Sequence, residues 1–359
     1  MLQARKLSYF LLSGALCFLL GGYASKPVAW ERYFGGRQLA PMESHQAIEL
    51  RARLFSMCRV AVVGSASAGT SAQPKGGNIN WAAVGRALDK PLTKQMHGGM
   101  YAATFTRTDL HVVVKGVPVK SEMGVASELN FMPIGNGRAY LMGELTVTED
   151  ELTAVTQTLD EGGLGLTSIH KHLPAETLRI WWVHFAGYAD PVQMAATIRA
   201  ALRRTGTPAP GAEPKPQKLA FDTKALDQLM ELKGQVVGGV YKYLVAHDGA
   251  YRDSLAHLQL SPMMQPTAAL YFQPLGGTRA AINGDMMMTA DEVDGVTAAF
   301  RQHNIELVAL HSHMTHEYPQ LYYLHYWQTG DAAALARALR AALNQVAVRQ
   351  SELVATEGG

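Results

Sequence analysis

Two stretches of this chain hold the same metal-binding residue types at the same spacing. His170, His172, Glu176 and His184 stand in the first, and His311, His313, Glu317 and His325 follow 141 positions later in the second. In an extended strand side chains alternate, so both histidines of each His-x-His project from one face. If the chain turns near Tyr318, His325 comes to lie across from His311 on that face, with opposed β-carbons ~5 Å apart. Three imidazoles then converge, and Glu317 in the turn serves as an oxygen ligand or as the general base for a metal-bound water. Three nitrogens and one carboxylate suit zinc, iron, copper or nickel, whereas magnesium and calcium take all-oxygen shells. The expected cofactor is therefore a divalent transition metal, zinc first, with one site in each copy. The second copy is the stronger candidate, because His316 and Tyr318 stand nearby.

An isolated strand histidine is ordinarily a sheet residue hydrogen-bonded to its surroundings. Recurrence of all four positions in both copies weighs against that reading here. Lys171 in the first copy faces Ser312 in the second, and strand alternation turns that cation to the opposite face. Glu144 and Asp285 also coincide, each after a glycine. They are expected either as further support for the metal or as carboxylates near a helix N-terminus. Trp182, Tyr323 and Trp327 share the histidine face and would wall an apolar pocket or pack on a sister sheet, with Tyr323 and Trp327 as candidate substrate contacts. Arg107 and Asp109 precede a strand and would hold substrate or pair in a turn. The run Met286, Met287, Met288 is read as core packing rather than a copper(I) site, since Leu145, Thr146 and Val147 occupy the first-copy positions.

The elements that must position these residues are written twice. Shifting the chain by 141 aligns residues 130–202 with 271–343 without a gap, at 22 identities in 73 positions. Such a match is duplication. In each copy a helix starts at a capping box, Thr148 with Glu151 and Thr289 with Glu292. Two strands follow, and Asp190 and Asp331 cap a closing alanine-rich helix. One more strand, such as residues 104–114 or 240–246, would complete a ferredoxin-like βαββαβ unit. The expected fold is α+β: two tandem ferredoxin-like repeats with antiparallel sheets, over residues 78–204 and 219–348. The proline-rich stretch 205–218 links them, residues 25–77 form a poorly structured N-terminal segment, and 349–359 a flexible tail.

At 359 residues, 48% hydrophobic and 17% charged, the chain can bury two cores. A net charge of +2 with scattered Lys and Arg excludes a phosphate-tracking nucleic-acid surface. Arg5 and Lys6 precede an apolar stretch, residues 7–20, and small residues stand before Ser25, which reads as a signal peptide over 1–24. Its ~14 apolar residues fall short of the ~20 of a spanning helix. The protein is thus expected in the periplasm or secreted, with no stable membrane span after cleavage. An uncleaved anchor is the alternative, and Cys17 makes a poor lipidation site. A second export candidate over residues 42–72, interrupted by Arg59, leaves Met42 open as the true start. One cysteine at most, Cys58, survives cleavage, so no intramolecular disulfide is expected.

The strings GGVYKYL, YFQPLGGTRAAINGD, TADEV and ALHSHMTHEYPQLYYLHYW with the closing helix resemble the LppY/LpqO family of exported bacterial proteins over residues 80–345. That resemblance implies export and a duplicated architecture, and no reaction. The spacing H-x-H-x-x-x-E also resembles the first metal motif of cupins, but the rest of that pattern is missing. With no nucleophile motif, phosphate loop or dinucleotide fingerprint, metal is the one source of catalysis the sequence offers. Two functions fit: a metal-dependent hydrolase in which Glu317 handles protons, or a non-catalytic envelope module binding a small ligand or an envelope component on open sheet faces. N-terminal sequencing of the natively produced protein should find Ser25, or a start near Gly69, as first residue. Intact Met1 on cytoplasmic protein would contradict export.

Overall fold

The computed structural model describes residues 79–95, 99–211, 215–261, 264 and 267–348. The signal peptide, the second export candidate and both cysteines lie outside the described residues. Among those described, no helix is long and apolar enough to cross a membrane. Both copies belong to one compact unit, Gln73–Gly359.

The first copy runs α1 (Trp81–Leu88), β1 (Thr93–Lys94), β2 (Tyr101–Thr106), β3 (Ala126–Gly135), β4 (Arg138–Thr148), α2 (Glu149–Glu161), β5 (Gly165–His170), β6 (Ile180–Ala189) and α3 (Pro191–Leu202). The second repeats it as α4 (Thr223–Met230), β7 (Gln235–Val237), β8 (Val240–Ala246), β9 (Thr267–Gly276), β10 (Arg279–Thr289), α5 (Val293–Gln302), β11 (Glu306–His311), β12 (Leu321–Asp331) and α6 (Ala332–Leu343). Each copy folds into a six-stranded antiparallel sheet of the same order, β1-β2-β3-β4-β6-β5 and β7-β8-β9-β10-β12-β11.

The sheets are larger than the four-stranded ferredoxin-like units expected from the sequence. The split β-α-β core is present, since β4 and β5 flank β6 across the helix α2. The place beside β4, however, is filled by β3 through a tight hairpin, not by a strand after α3. Of the segments proposed as the extra strand, residues 240–246 form β8, whereas only the first three of residues 104–114 belong to β2 and Val113 and Val114 pair with Val117 and Pro118 outside the sheet.

Local chemistry sets the helix ends as the sequence indicates. The Thr148 N–H donates to Glu151 Oε2 at 2.8 Å and the Thr289 N–H to Glu292 Oε2 at 2.7 Å. Asp190 accepts from the Val192 N–H and Asp331 from the Ala334 N–H. The helices cover one sheet face: Val155, Leu159, Ile198 and Leu202 pack on Leu129, Leu141, Leu145 and Phe185. In the second copy Val296, Phe300 and Leu339 do the same on Ile282, Met286, Met288 and Leu324. All three consecutive methionines are fully buried.

The other faces meet each other. A third cluster mixes Val112, Val114 and Trp182 of the first copy with Tyr271, Ala281 and Trp327 of the second. Cross-copy hydrogen bonds pin it: Gln273 Nε2 donates to Pro118 O at 2.7 Å, Asn283 Nδ2 to Met123 O at 2.9 Å, and the Tyr140 hydroxyl to Asp253 Oδ2 at 2.9 Å. The central strands β4 and β10 are therefore buried on both faces, which is why neither shows a clean polar–apolar alternation.

Arg107 and Asp109 belong to this scaffold, not to a substrate site. The Arg107 side chain is fully buried and donates to Asp109, to both Glu151 oxygens and to Thr146 O at 2.6 Å. It thus joins the end of β2, the end of β4 and the first turn of α2. Removing the cation leaves two carboxylates facing each other at reduced exposure, so Arg107→Ala should cost ~3–5 kcal/mol in chemical denaturation. A loss under ~1 kcal/mol would show that the network is not needed for the fold.

Candidate metal centre between the repeats

Each copy delivers its histidines to the face that meets the other copy. His184 on β6 stands opposite Glu144 on β4, and His325 on β12 opposite Asp285 on β10. His170 and His311 end the edge strands β5 and β11, and the chain beyond each strand returns His172 and His313 to the same side. A bulge in each edge strand shifts the pairing, so His325 opposes Ala309 and His311 opposes Tyr323. The rings still share a face, with the His311 and His325 centroids 5.0 Å apart.

The sequence suggests one site per copy, whereas the sheets bring all six histidines together. His170 stacks on His311 at 3.5 Å, His172 on His325 at 3.8 Å and His184 on His313 at 4.0 Å, all pairs between copies. Exchanging the copies maps the first pair on itself and the second on the third, so the centre has pseudo-twofold symmetry. The carboxylates close it into a ring. Glu144 Oε2 lies 2.7 Å from His184 Nε2 and 3.4 Å from His172 Nε2. Asp285 lies 3.3 Å from His313 Nε2 and 3.6 Å from His325 Nε2. Glu144 and Asp285 thus touch the histidines directly, in the supporting place the sequence left open for them.

Aromatic residues hold the second histidine of each motif. Trp182 stacks on His172 at 4.0 Å and Tyr323, its counterpart, on His313 at 3.5 Å. Trp182 is fixed in turn by its indole N–H on Gly124 O. Tyr323 and Trp327, expected as substrate contacts, are buried in these packing roles and do not line the adjoining cavity. Glycine precedes each carboxylate because there is no room for a side chain. A Cβ on Gly143 would lie 2.4 Å from the Phe185 ring, and one on Gly284 2.4 Å from Ala269 O.

Glu176 and Glu317 do not join the ring. Glu176 is paired with Lys171, which also donates to Ile180 O and lies over the Trp181 ring. Ser312 replaces that lysine in the second copy, so Glu317 has no such cation. One of its oxygens accepts from the Leu321 N–H at 2.9 Å and from Gln320, and the other has no hydrogen-bond partner. Burial, with Asp253 opposite, pushes the Glu317 carboxyl up to about 8.

The ring atoms have the chemistry of ligands. Burial, then the neighbouring imidazoles, lowers His170 and His311, and burial likewise holds His313 and His325 well below the ordinary histidine value. These rings are neutral and offer lone pairs. His325 Nδ1 is 2.9 Å from Gly284 O, which only accepts, so that nitrogen carries the proton and Nε2 is free to ligate. Burial would raise the Glu144 carboxyl, but His172 and His184 outweigh it and hold it well below its usual value. Burial raises Asp285 against the pull of His325 and His172. Nδ1 of His184, both nitrogens of His311 and Nε2 of His325 are buried without a hydrogen-bond partner, and Nε2 of His184 and of His313 face only the carboxylates of Glu144 and Asp285. Orphaned polar atoms are rare in folded proteins. Such a cluster of unsatisfied donor atoms among the imidazoles fits a bound cation. Ligand atoms within 4.8 Å of one another form three sets: His170, His184, His311 and His313; His170, His172 and His325; and Asp285, His311 and His325.

Residues 82–204 and 224–345 each match the family described as Domain of Unknown Function (DUF1259). The chain belongs to that family. The two matched spans are the two repeats, so each DUF1259 unit supplies three histidines and one carboxylate to the shared centre. No curated protein matches the chain. Among solved structures it is similar to the trimeric bacterial microcompartment shell protein PduB, at 12% identity, TM-score 0.18, covering 71% of this chain and 89% of that one. EtuB from Clostridium kluyveri gives 12% and 0.17, with 71% and 89% covered. The fused permuted hexameric shell protein from the RMM microcompartment gives 14% and 0.17, with 68% and 94% covered.

A cavity of about 240 Å³ opens onto the ring beside Glu144, His172, His184, Asp285, His313 and His325. Sequence reasoning missed three further residues of its lining, Lys242, Tyr271 and Glu128. The Lys242 ammonium lies 5.1 Å from the Tyr271 ring centre. Burial would lower it, but Tyr271 and Glu128 keep it above its ordinary value and therefore charged. No signal marked Lys242, because its register partner in the first copy is Ala102 and the repeat comparison shows no shared residue there.

Glu317 generates a pH prediction. Its folded value of about 8 exceeds the unfolded value near 4.5, so its contribution to stability is complete below pH 4.5 and is lost as pH rises through 8. Glu317→Gln should therefore gain stability relative to the parent as pH goes from 5 to 9. A difference independent of pH in parallel melts would contradict the burial of an uncompensated carboxyl.

Proposed function

We propose that this protein is a metal-dependent enzyme whose centre lies between its two DUF1259 repeats and whose substrate is a small anion. The observation that carries this reading is the convergence of six histidines and two carboxylates with their buried lone pairs unsatisfied. Nitrogen and carboxylate donors favour a divalent transition metal, with zinc the first candidate. Such an ion supplies a Lewis acid and an activated water, which suits hydrolysis. Glu144 and Asp285 hold the ligands and stand within reach of a proton released there. Lys242 lines the same cavity and supplies a charge to orient an anionic group. Glu317 is not the general base of this reading, since it belongs to none of the sets of mutually close ligand atoms.

Export belongs to the same proposal, supported by Arg5, Lys6 and residues 7–20, and places the enzyme in the periplasm or outside the cell. The narrower LppY/LpqO affiliation rests on the motif strings within the matched spans.

Protein purified without added metal, or reloaded after chelation, should hold transition metal through gel filtration, and stripping should lower its melting temperature, since an ion bound to the folded state alone stabilises it. In cobalt-loaded protein, acetate or phosphate should perturb the visible spectrum, and Lys242→Met should raise the anion concentration needed by ~10-fold, the effect of ~1.4 kcal/mol. No retained metal ends the proposal. Metal without an anion effect leaves a metal-stabilised binding module.

A further inference from the structure

The ring of ligands is too rich for one ion. A single transition metal takes four to six donors, while eight ligating side chains meet here, and the three sets of mutually close ligand atoms overlap instead of coinciding. The pairs that stack across the copies mark two poles, His184 with His313 and His172 with His325. Glu144 touches one histidine of each pole, and so does Asp285. His311 falls in one set with His184, His313 and His170, His170 falls also in the set with His172 and His325, and Asp285 shares the third set with one histidine of each group, His311 and His325. The two resulting triads exchange under the pseudo-twofold.

We propose that the centre is dinuclear and crossed: one ion takes His311, His313 and His184, the other takes His170, His172 and His325, and Glu144 and Asp285 bridge the two. Each ion thus draws its His-x-His from one repeat and its third histidine from the other. Neither repeat holds a complete site, and the sequence pairing of His311, His313 and His325 on one ion is replaced. Bridging by two carboxylates gives each ion three nitrogens and two oxygens, a shell open to water or substrate on the cavity side, and an ion separation of ~3.5–4 Å. Two dications also offset the burial of the two carboxylates. This inference rests on the metal-centre reading above.

The stoichiometry separates the two. Apo protein loaded with manganese(II) or cobalt(II), desalted and assayed by elemental analysis, should hold two ions per chain, and manganese-loaded protein should give the electron paramagnetic resonance of an exchange-coupled pair. One ion per chain with an uncoupled spectrum would overturn the dinuclear proposal and leave the metal centre standing. No ion would overturn both. The crossing is read from double variants. His184→Ala with His313→Ala should keep one ion, because both residues serve the same pole, whereas His184→Ala with His172→Ala, in one repeat, should lose both. The reverse pattern would show one site per repeat. If the double variants fail to fold, Glu144→Gln alone still decides: it should weaken the second ion at least tenfold and diminish the coupled signal, and unchanged binding of two coupled ions would rule out Glu144 as a bridge.

Discussion

Six imidazoles and two carboxylates are packed between two sheets, and burial of so many polar atoms is unfavourable unless each finds a partner. Protein groups supply only some of those partners. Gly284 O takes one proton of His325, Ser168 and His172 reach His170, and the remaining lone pairs point inward at one another. Much of the surrounding architecture follows from holding these groups in place. The helices are confined to the outer faces, the aromatic stacks of Trp182 and Tyr323 pin the outer histidines, and glycine at 143 and 284 lets strands close up behind the carboxylates.

Duplication is what makes the centre. A single repeat exposes one sheet face with three histidines and a carboxylate, and it can neither satisfy them nor cover the apolar residues around them. Apposing two copies does both, joining the packing of Trp182 with that of Trp327 while the histidine pairs form across the contact. Carrying both copies on one chain also lets them diverge. Lys171 neutralises Glu176 in the first copy, while Ser312 leaves Glu317 unpaired in the second, and Lys242 charges one side of a cavity whose counterpart is Ala102.

Much of this was legible in the sequence. The shift of 141 exposed the duplication, strand parity put the histidines on one face, and the capping boxes marked the start of α2 at Thr148 and, at Thr289, of the 3-10 turn that leads into α5. The errors have physical causes. Of the readings left open for the second sheet face, a ligand surface or the sister repeat, the structure takes the sister repeat, a choice no local pattern in β4 or β10 marks, because burial against a helix and against a sheet look alike there. Glu176 and Glu317 matched the ligand pattern by spacing, but the turns that carry them pair with Val114 and Asp253, and neither carboxylate belongs to a set of mutually close ligand atoms. Arg107 and Asp109 read equally well as a turn or a substrate clamp until the distant Glu151 completed their network. Which histidine meets which across the repeats is a tertiary fact with no sequence signature.

The most direct measurement is a crystal structure of the metal-loaded protein with data collected at the absorption edge of the ion. The account predicts two anomalous peaks ~3.5–4 Å apart, lying between the repeats on the pseudo-twofold ring, with ligands to each drawn from both copies. One peak confined to the histidines of a single repeat, or peaks at Glu176 and Glu317 outside the ring, would contradict it.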